Sequence, residues 1–104
     1  MKNDILKRTK DFAINCWKFC EKMPKSREYN AFVNQLIRSS SSVGANYRAS
    51  QRAKSTADFI NKLKIVEEEV DESVYWLEIF EEIMTDSLDE IQQLKKEIEI
   101  LKSQ

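Results

Sequence analysis

The chain has 104 residues, of which 41% are hydrophobic and 34% charged, and its formal net charge is −1. This length fits one domain over residues 1–104, and the single glycine and single proline exclude collagen-like, low-complexity and turn-rich β architectures. No apolar run approaches the roughly 20 residues that cross a bilayer, and none follows Lys2 as in a signal peptide. We therefore expect an all-α cytoplasmic protein that has no membrane partner.

The first predicted helix runs from about Asp4 to Lys22 and ends before Pro24, because proline cannot continue the helical hydrogen-bond ladder. Cys16 and Cys20 lie four residues apart on this helix, a spacing at which helical geometry strains a disulfide. Two thiolates without further ligands also bind a metal poorly. The apolar stripe of this helix is Ile5, Phe12, Cys16, Phe19 and Met23. We expect both cysteines to be reduced and buried as small apolar side chains among Phe12, Phe19 and Met23.

The second predicted helix begins after Ser26 and contains four consecutive serines, residues 39–42, that resemble a flexible linker. Leu36 and Val43 flank this run seven residues apart, and so lie on one helical face. We predict unbroken helix through the serines, with a core stripe of Tyr29, Phe32, Val33, Leu36, Ser40, Val43 and Tyr47. Opposite that stripe lies a strip of mostly small side chains, typical either of close helix contact or of a solvated face: Arg38, Ser42, Ala45 and Ala49.

The third predicted helix starts at the capping motif Ser55-x-x-Asp58, runs to about Met84 and has two apolar stripes. The first stripe is Phe59, Leu63, Val66, Val70, Val74 and Leu77. The second lies about 140° away and consists of Ile65, Trp76, Ile79 and Ile83. A helix that packs only within its own bundle needs one apolar face, so the second stripe indicates self-association.

The fourth predicted helix follows the capping box Ser87-x-x-Glu90 and has the apolar spacing of a coiled-coil seam, at Leu88, Ile91, Leu94, Ile98 and Leu101. Short connections between successive helices make sequence neighbours antiparallel. The predicted fold is therefore an all-α, antiparallel up-down-up-down four-helix bundle.

Charge is distributed unevenly along the chain. Residues 1–64 contain 14 Lys and Arg against 5 Asp and Glu, a net +9, whereas residues 65–104 contain 3 against 13, a net −10. Two basic groups stand out: Lys7, Lys10 and Lys18 on the first helix, opposite its core stripe, and Arg48, Arg52 and Lys54 near the next turn. Basic and acidic helices packed side by side would neutralise each other. Alternatively, these six residues form a surface that binds phosphates.

Several motifs carry a resemblance to a known family: IRSSSSVGANYR at residues 37–48, then Arg52-Ala53-Lys54-Ser55, Asp58-Phe59, and the run from Glu67-Glu68-Glu69 to Tyr75-Trp76-Leu77-Glu78. In these motifs the chain resembles the 23S rRNA intervening-sequence protein family. The resemblance implies an antiparallel four-helix bundle that assembles into a homopentamer, without established enzymatic activity. Similar accessory subunits of diversity-generating retroelements bind nucleic acid through a basic surface. The family pattern has Glu near the position of Ala49, so a polar contact is missing here.

The absence of histidine excludes Ser-His-Asp and Cys-His catalysis and imidazole-dependent metal sites, and one glycine excludes phosphate-binding glycine loops. We expect no catalytic residues, cofactor or metal, and so a protein that is not an enzyme. Glu69 and Glu72 lie beside the second stripe and are expected to pair with Arg38 or Arg52 across a helix or subunit boundary. The leading function is binding of structured RNA, or DNA, through the six basic residues; the alternative is an oligomeric protein-interaction adaptor.

Overall fold

The computed structural model describes residues 2–84 and 88–103 and contains four α-helices. These are α1 (Lys2–Glu21), α2 (Arg27–Ser50), α3 (Thr56–Ile83) and α4 (Leu88–Lys102). The described residues contain no strand, so the predicted all-α class is confirmed. Within the same ranges, no helix is both long and apolar enough to cross a membrane. The predicted cap at Ser87 lies outside the described residues.

Two of the predicted helix starts are set by serine caps. The Ser26 hydroxyl accepts a hydrogen bond from the Tyr29 backbone N–H at 3.1 Å, and the Ser55 hydroxyl accepts one from the Asp58 N–H at 3.0 Å. Each cap satisfies one of the N–H groups that the first turn of a helix leaves without a partner. These two short polar residues therefore define where α2 and α3 begin.

The four-serine run is continuous helix, as predicted. Ser39 and Ser40 face the interior and are buried, whereas Ser41 is exposed. The hydroxyls of Ser40 and Ser41 each donate to the carbonyl of Ile37, so they need no partner outside the helix. Small hydroxyl side chains at this place allow neighbouring helices to approach α2 closely.

The helices pack in a cycle in which α1 contacts α2 and α4, and α3 contacts the same two. Residue numbers run in opposite directions across each α2 contact. Against α1, Gly44 lies beside Thr9 and Ser40 shares a hydrogen bond with the Cys16 thiol; against α3, Arg38 pairs with Glu69 and Phe32 packs on Trp76. Across the other two interfaces, the ion pairs of α4 have the same reversed order, with Arg8–Glu97, Lys22–Glu90, Lys95–Glu81 and Lys102–Asp71. The contacts thus describe antiparallel neighbours around one bundle.

One apolar core runs through the bundle and receives side chains from all four helices. Phe12, Leu36, Leu77 and Ile91, one from each helix, are completely buried. Cys16 and Cys20 are buried as free thiols, as predicted. Burial of this kind contributes on the order of 1.5–3 kcal/mol for each large apolar side chain.

The inward face of α3 differs from the predicted stripe. Phe80 and Ser73 are completely buried although the stripe omits them, and Phe59, which the stripe includes, is 38% exposed. Phe80 contacts Phe19 edge-on at a centroid distance of 5.5 Å and stacks on Tyr29 at 6.4 Å. Phe59 lies in the first turn of α3, at the end of the bundle, where the short turn after α2 covers it incompletely.

Candidate nucleic-acid interface

The α1–α2 contact is closest at the single glycine of the chain. A β-carbon added at Gly44 would lie 3.2 Å from Oγ1 and 3.3 Å from Cβ of Thr9, tighter than ordinary van der Waals contact. The Thr9 hydroxyl is already engaged, because it donates to the Ile5 and Leu6 carbonyls of its own helix. Glycine therefore lets the two backbones approach where a larger residue would separate them.

A groove of about 460 Å³ lies along this contact on the outer side of the helix pair. Its floor is small or apolar, and three cationic side chains stand at its edges: Lys7 and Lys10 from α1, and Arg48 from α2. The floor residues are Leu6, Thr9, Ala13, Ser41, Gly44 and Ala45. The structure thus brings together basic residues that are about 40 positions apart in the sequence.

A second groove, of about 410 Å³, adjoins the first and shares Ala45 and Arg48 with it. It adds Arg52, Lys54 and Lys62, together with Asp58 and Ala49, near the turn between α2 and α3. We call the continuous surface formed by the two grooves the basic face. Five of the six residues predicted to bind nucleic acid lie on it: Lys7, Lys10, Arg48, Arg52 and Lys54.

Most of the predicted cations have no acidic partner within the part of the chain that the structure describes. Among the described residues, ion pairs within 4.0 Å engage Lys7, which bonds Asp11 at 2.7 Å, but do not engage Lys10, Lys18, Arg48, Arg52 or Lys54. The hydrogen bond and charge of Asp11 raise the pKa of Lys7 above its ordinary value. Lys62, which lies on the basic face but outside the predicted set, pairs with Asp58 at 2.7 Å. The unpaired cations are thus available to an external anion.

Lys18 lies apart from the other five residues. It lines a different groove, between α1 and α4, where the carboxylates of Glu90 and Glu97 also lie. Lys22 in that groove is already paired with Glu90 at 3.0 Å. Lys18 and Lys7 share a helical face, but they are 11 residues, or about 16 Å, apart along α1. The structure therefore separates Lys18 from the basic face.

The predicted acid–base pairing occurs within one chain, between α2 and α3. Nη1 of Arg38 lies 2.9 Å from Oε2 of Glu69, and Nη2 of the same guanidinium bonds Glu72. The hydrogen bond from Arg38 is the main cause that lowers the pKa of Glu72, and the indole N–H of Trp76 also donates to this carboxylate, at 3.3 Å. Of the two arginines considered, Arg38 forms the pair and Arg52 lies on the basic face.

The other residues predicted at an oligomer interface fall into two groups. Those of α3 lie on the α2–α3 side of the bundle, and some of those of α2 lie on the basic face. Trp76 is half-buried and its ring packs against Phe32 at 5.8 Å. Ile65 and Ile79 are also half-buried, whereas Ile83 is 48% exposed. On α2, the partly exposed positions Ser42, Ala45 and Ala49 belong to the same predicted set, and the two alanines line the second groove.

A buried pair of serines connects the same two helices. The hydroxyls of Ser39 and Ser73 lie 2.8 Å apart, and Ser73 also donates to the carbonyl of Glu69 at 2.9 Å. Every described buried polar side-chain atom has a hydrogen-bond partner. Within the described residues no group of three or more Cys, Asp or Glu side chains is arranged to bind a metal ion. The buried serines between α2 and α3 are thus satisfied within the bundle, and the Ser39–Ser73 bond links the two helices.

Comparison with known proteins identifies relatives over the whole chain. The family model described as "23S rRNA-intervening sequence protein" matches residues 1–104. A similar solved structure is a crystal structure at 1.70 Å resolution of a protein of unknown function from the S23 ribosomal protein family of Bacteroides thetaiotaomicron VPI-5482. It is 27% identical to this chain, the alignment covers 97% of this chain and 94% of that one, and the TM-score is 0.89. None of the curated proteins matches.

Proposed function

The chain belongs to the 23S rRNA-intervening sequence protein family, and from that premise we propose that it is a non-catalytic, oligomeric bundle that binds structured RNA. The basic face is the binding surface and the phosphate backbone is what it contacts. The observation that supports this most strongly is the convergence of Lys10, Arg48, Arg52 and Lys54, which form no ion pair with any described residue, on two adjoining grooves.

Charge within the chain cancels only partly at this surface, because Lys7 and Lys62 pair with carboxylates there but the other four cations form no ion pair among the described residues. Acidic residues of α3 such as Glu67, Glu68, Glu78 and Glu82 are also exposed and also form no ion pair among the described residues. If the two halves of the chain neutralised each other, these carboxylates and the cations of the basic face would be partners. Their separation favours a polyanionic ligand on the basic face.

The side chains of the basic face suit phosphate more than base edges. The guanidinium groups of Arg48 and Arg52 can each form two parallel hydrogen bonds to a phosphate, and the ammonium groups of Lys10 and Lys54 act as point charges. Contacts of this kind fix a nucleic acid in position without reading its sequence. The protein is therefore proposed to recognise the shape and charge of RNA. Its affinity for DNA is expected not to exceed its affinity for RNA.

Self-association is the second part of the proposal, and the α2–α3 side of the bundle supports it. Ile83 and Tyr75 are 48% and 56% exposed, and they lie on the helix that also presents Trp76 and Ile79 at its surface. Apolar and aromatic groups of this kind form the buried centre of protein interfaces. By family resemblance the assembly is a homopentamer, which would repeat the basic face five times and raise affinity through effective concentration.

A salt titration with a matched charge control tests the RNA-binding proposal. A labelled RNA hairpin should bind at about 50 mM salt and largely dissociate by about 200 mM, because phosphate contacts release counterions. The double variant Lys10→Glu/Arg48→Glu should abolish binding at 50 mM. The control Lys64→Glu/Lys96→Glu makes the same charge change at two exposed lysines that lie outside both grooves, and should bind nearly as the unmodified protein does.

Two outcomes would contradict this function. If the control weakens binding as strongly as the double variant, attraction is a property of total charge and not of the basic face. If the intact oligomer binds no RNA or duplex DNA at 50 mM salt, the protein is instead an adaptor that uses the basic face for acidic protein partners.

A further inference from the structure

A large exposed aromatic ring continues the line of the basic face along α1. The side chain of Trp17 is 52% exposed and follows Lys10 by seven residues. At about 100° and 1.5 Å per residue, the two side chains lie within about 20° of each other around the helix and about 10 Å apart along it. Ile14, which is 41% exposed, lies between them. Ala13, one turn before Trp17, is part of the first groove.

The two tryptophans of the chain differ in their surroundings. Trp76 packs against the rings of Phe32 and Tyr75 and donates its indole N–H to Glu72. Trp17 has neither a ring partner nor a hydrogen-bond acceptor for its indole N–H among the described residues. The bundle therefore does not use the Trp17 ring for its own packing in the way that it uses Trp76.

We propose that Trp17 stacks on an unpaired base of the RNA whose phosphates contact Lys10 and Arg48. This inference rests on the proposed function and specifies its ligand: RNA with a single-stranded segment next to the basic face. The distance from Lys10 to Trp17 corresponds to about three stacked nucleotides at about 3.4 Å each. One strand can therefore reach both residues.

Charge identifies the occupant of this exposed ring as nucleic acid. Lys10, on the side of Trp17 that is nearer to the basic face, is cationic and has no carboxylate partner among the described residues. Glu21, one turn beyond Trp17, is exposed and sets the opposite limit of the site, because its carboxylate repels phosphate. An aromatic ring beside unpaired cations is the arrangement with which proteins bind single strands, since every base offers a face for stacking.

This arrangement predicts a preference that phosphate contacts alone do not give. In a duplex the bases stack on each other and only phosphates and groove edges are accessible, so Trp17 adds nothing. In a single strand the ring gains about 1–3 kcal/mol from one base. The same basic face should then bind an unpaired strand more tightly than a duplex of equal length.

The test compares fluorescein-labelled (U)12 RNA with a 12-base-pair RNA duplex at 50 mM salt, using the full-length oligomer. Trp17→Ala should weaken (U)12 binding about 5- to 150-fold and leave duplex binding unchanged. Ile60→Ala is the matched control, because it removes a similarly exposed apolar side chain, 48% against 52%, from a place on α3 outside both grooves and outside the predicted subunit interface. It should change neither affinity. In the variant Trp76→Phe, Trp17 is the sole tryptophan, and its fluorescence should be quenched by (U)12.

The outcomes separate this inference from the function on which it rests. If the protein binds (U)12 but Trp17→Ala binds it equally well and Trp17 is not quenched, the stacking role is wrong and phosphate binding stands. If size-exclusion chromatography shows that Trp17→Ala changes the oligomeric state, Trp17 belongs to a subunit contact and the inference is overturned. If neither RNA binds to the unmodified protein at 50 mM salt, the proposed function fails, and the inference with it.

Discussion

Gly44 of α2 lies directly against Thr9 of α1, so close that an added β-carbon would lie 3.2 Å from the threonine hydroxyl oxygen. This contact determines the distance between the two helices that form the first groove. Because Thr9 is 3% exposed and bonded to its own helix, it has little room to move away. The depth of the groove therefore depends on the absence of a side chain at position 44.

Gly44→Val should destabilise the bundle by about 1–3 kcal/mol, because the added side chain overpacks the α1–α2 contact. Ala45→Val is the control, at the next position but exposed. Helix propensity alone would predict the opposite: Gly44→Val would be the more stable variant, because valine has a higher helix propensity than glycine and a lower one than alanine. Chemical denaturation monitored by circular dichroism measures both. Equal stability of the two variants would show that the glycine contact does not limit helix approach.

The two buried thiols should be unreactive in the folded protein. Burial is the main cause that raises the pKa of Cys16 to about 12 and that of Cys20 to about 11, from an ordinary value of 9.0. At pH 8 the thiolate fraction then falls by about 100-fold or more, and Ellman's reagent should react at least that much more slowly than with unfolded protein. Fast reaction of both thiols without denaturant would contradict the described burial.

The same shifts give a pH dependence at the alkaline side. A thiol whose pKa is raised by folding keeps its proton in the folded state and loses it in the unfolded state above about pH 9. The free energy of unfolding should therefore fall as the pH rises through that range. Replacing Cys16 by alanine should make this fall shallower.

The Arg38–Glu72 pair should stabilise the bundle at neutral but not at acidic pH. The Arg38 guanidinium lowers the pKa of Glu72 from its ordinary value of 4.5. The stabilisation by the pair is therefore present above that pH and is lost as the pH falls through the lowered pKa of the folded state. Because both side chains are partly exposed, Glu72→Gln should cost at most about 1 kcal/mol at pH 7. This difference should shrink in urea denaturation as the pH is lowered below the ordinary pKa of a glutamate. Glu67→Gln, at an exposed residue that forms no ion pair among the described residues, is the matched control and should cost little stability at pH 7.

Ile83→Glu should disrupt self-association while the subunit stays folded. The side chain is 48% exposed in the isolated chain, so a carboxylate there is solvated in the monomer but buried without a partner in an apolar interface. Light scattering at micromolar protein should give about five times the 12.3 kDa chain mass for the unmodified protein and less for the variant. Trp76→Glu should also break the oligomer but destabilise the subunit, because Trp76 packs on Phe32. An unmodified protein that is monomeric would contradict the interface.

Lys18→Glu should weaken RNA binding much less than Lys10→Glu does. Lys18 lies in the α1–α4 groove beside Glu90 and Glu97, where a phosphate is repelled, whereas Lys10 borders the basic face. Each lost phosphate contact should reduce the slope of log K against log salt concentration by about 0.7–0.9. The slope should therefore change for Lys10→Glu and stay nearly constant for Lys18→Glu. Equal changes would extend the binding surface around α1.

The helices and much of the core could be predicted because they depend on local patterns. Ser26 and Ser55 define helix starts through their own side chains, and the spacing of Leu36 and Val43 was enough to identify the serines between them as helix. Phe80 was missed because the predicted stripe follows one line of residues on α3. The buried face is wider than that line, and Phe19 and Tyr29 cover Phe80 from two other helices.

The composition of the basic face could be predicted only in part, because it depends on helix register. Lys7, Lys10 and Lys18 share one helical face, as the helical periodicity indicates. The periodicity does not tell which helix packs on each side of α1, because that depends on the topology of the bundle. The preference for Arg38 over Arg52 as the partner of Glu69 likewise follows from the contact between Ser39 and Ser73, which aligns α2 with α3.

The separation of charge along the chain also bears on the proposed encounter with a polyanion. Because the cations gather on the basic face and the unpaired carboxylates on α3, the subunit has an electric dipole although its net charge is only −1. A polyanion that approaches within about one Debye length, about 10 Å at 0.1 M salt, exerts a torque that turns the basic face toward it. A subunit with the same net charge spread uniformly would be weakly repelled in every orientation. Under the proposed function, the dipole would thus favour the binding orientation before any contact is made.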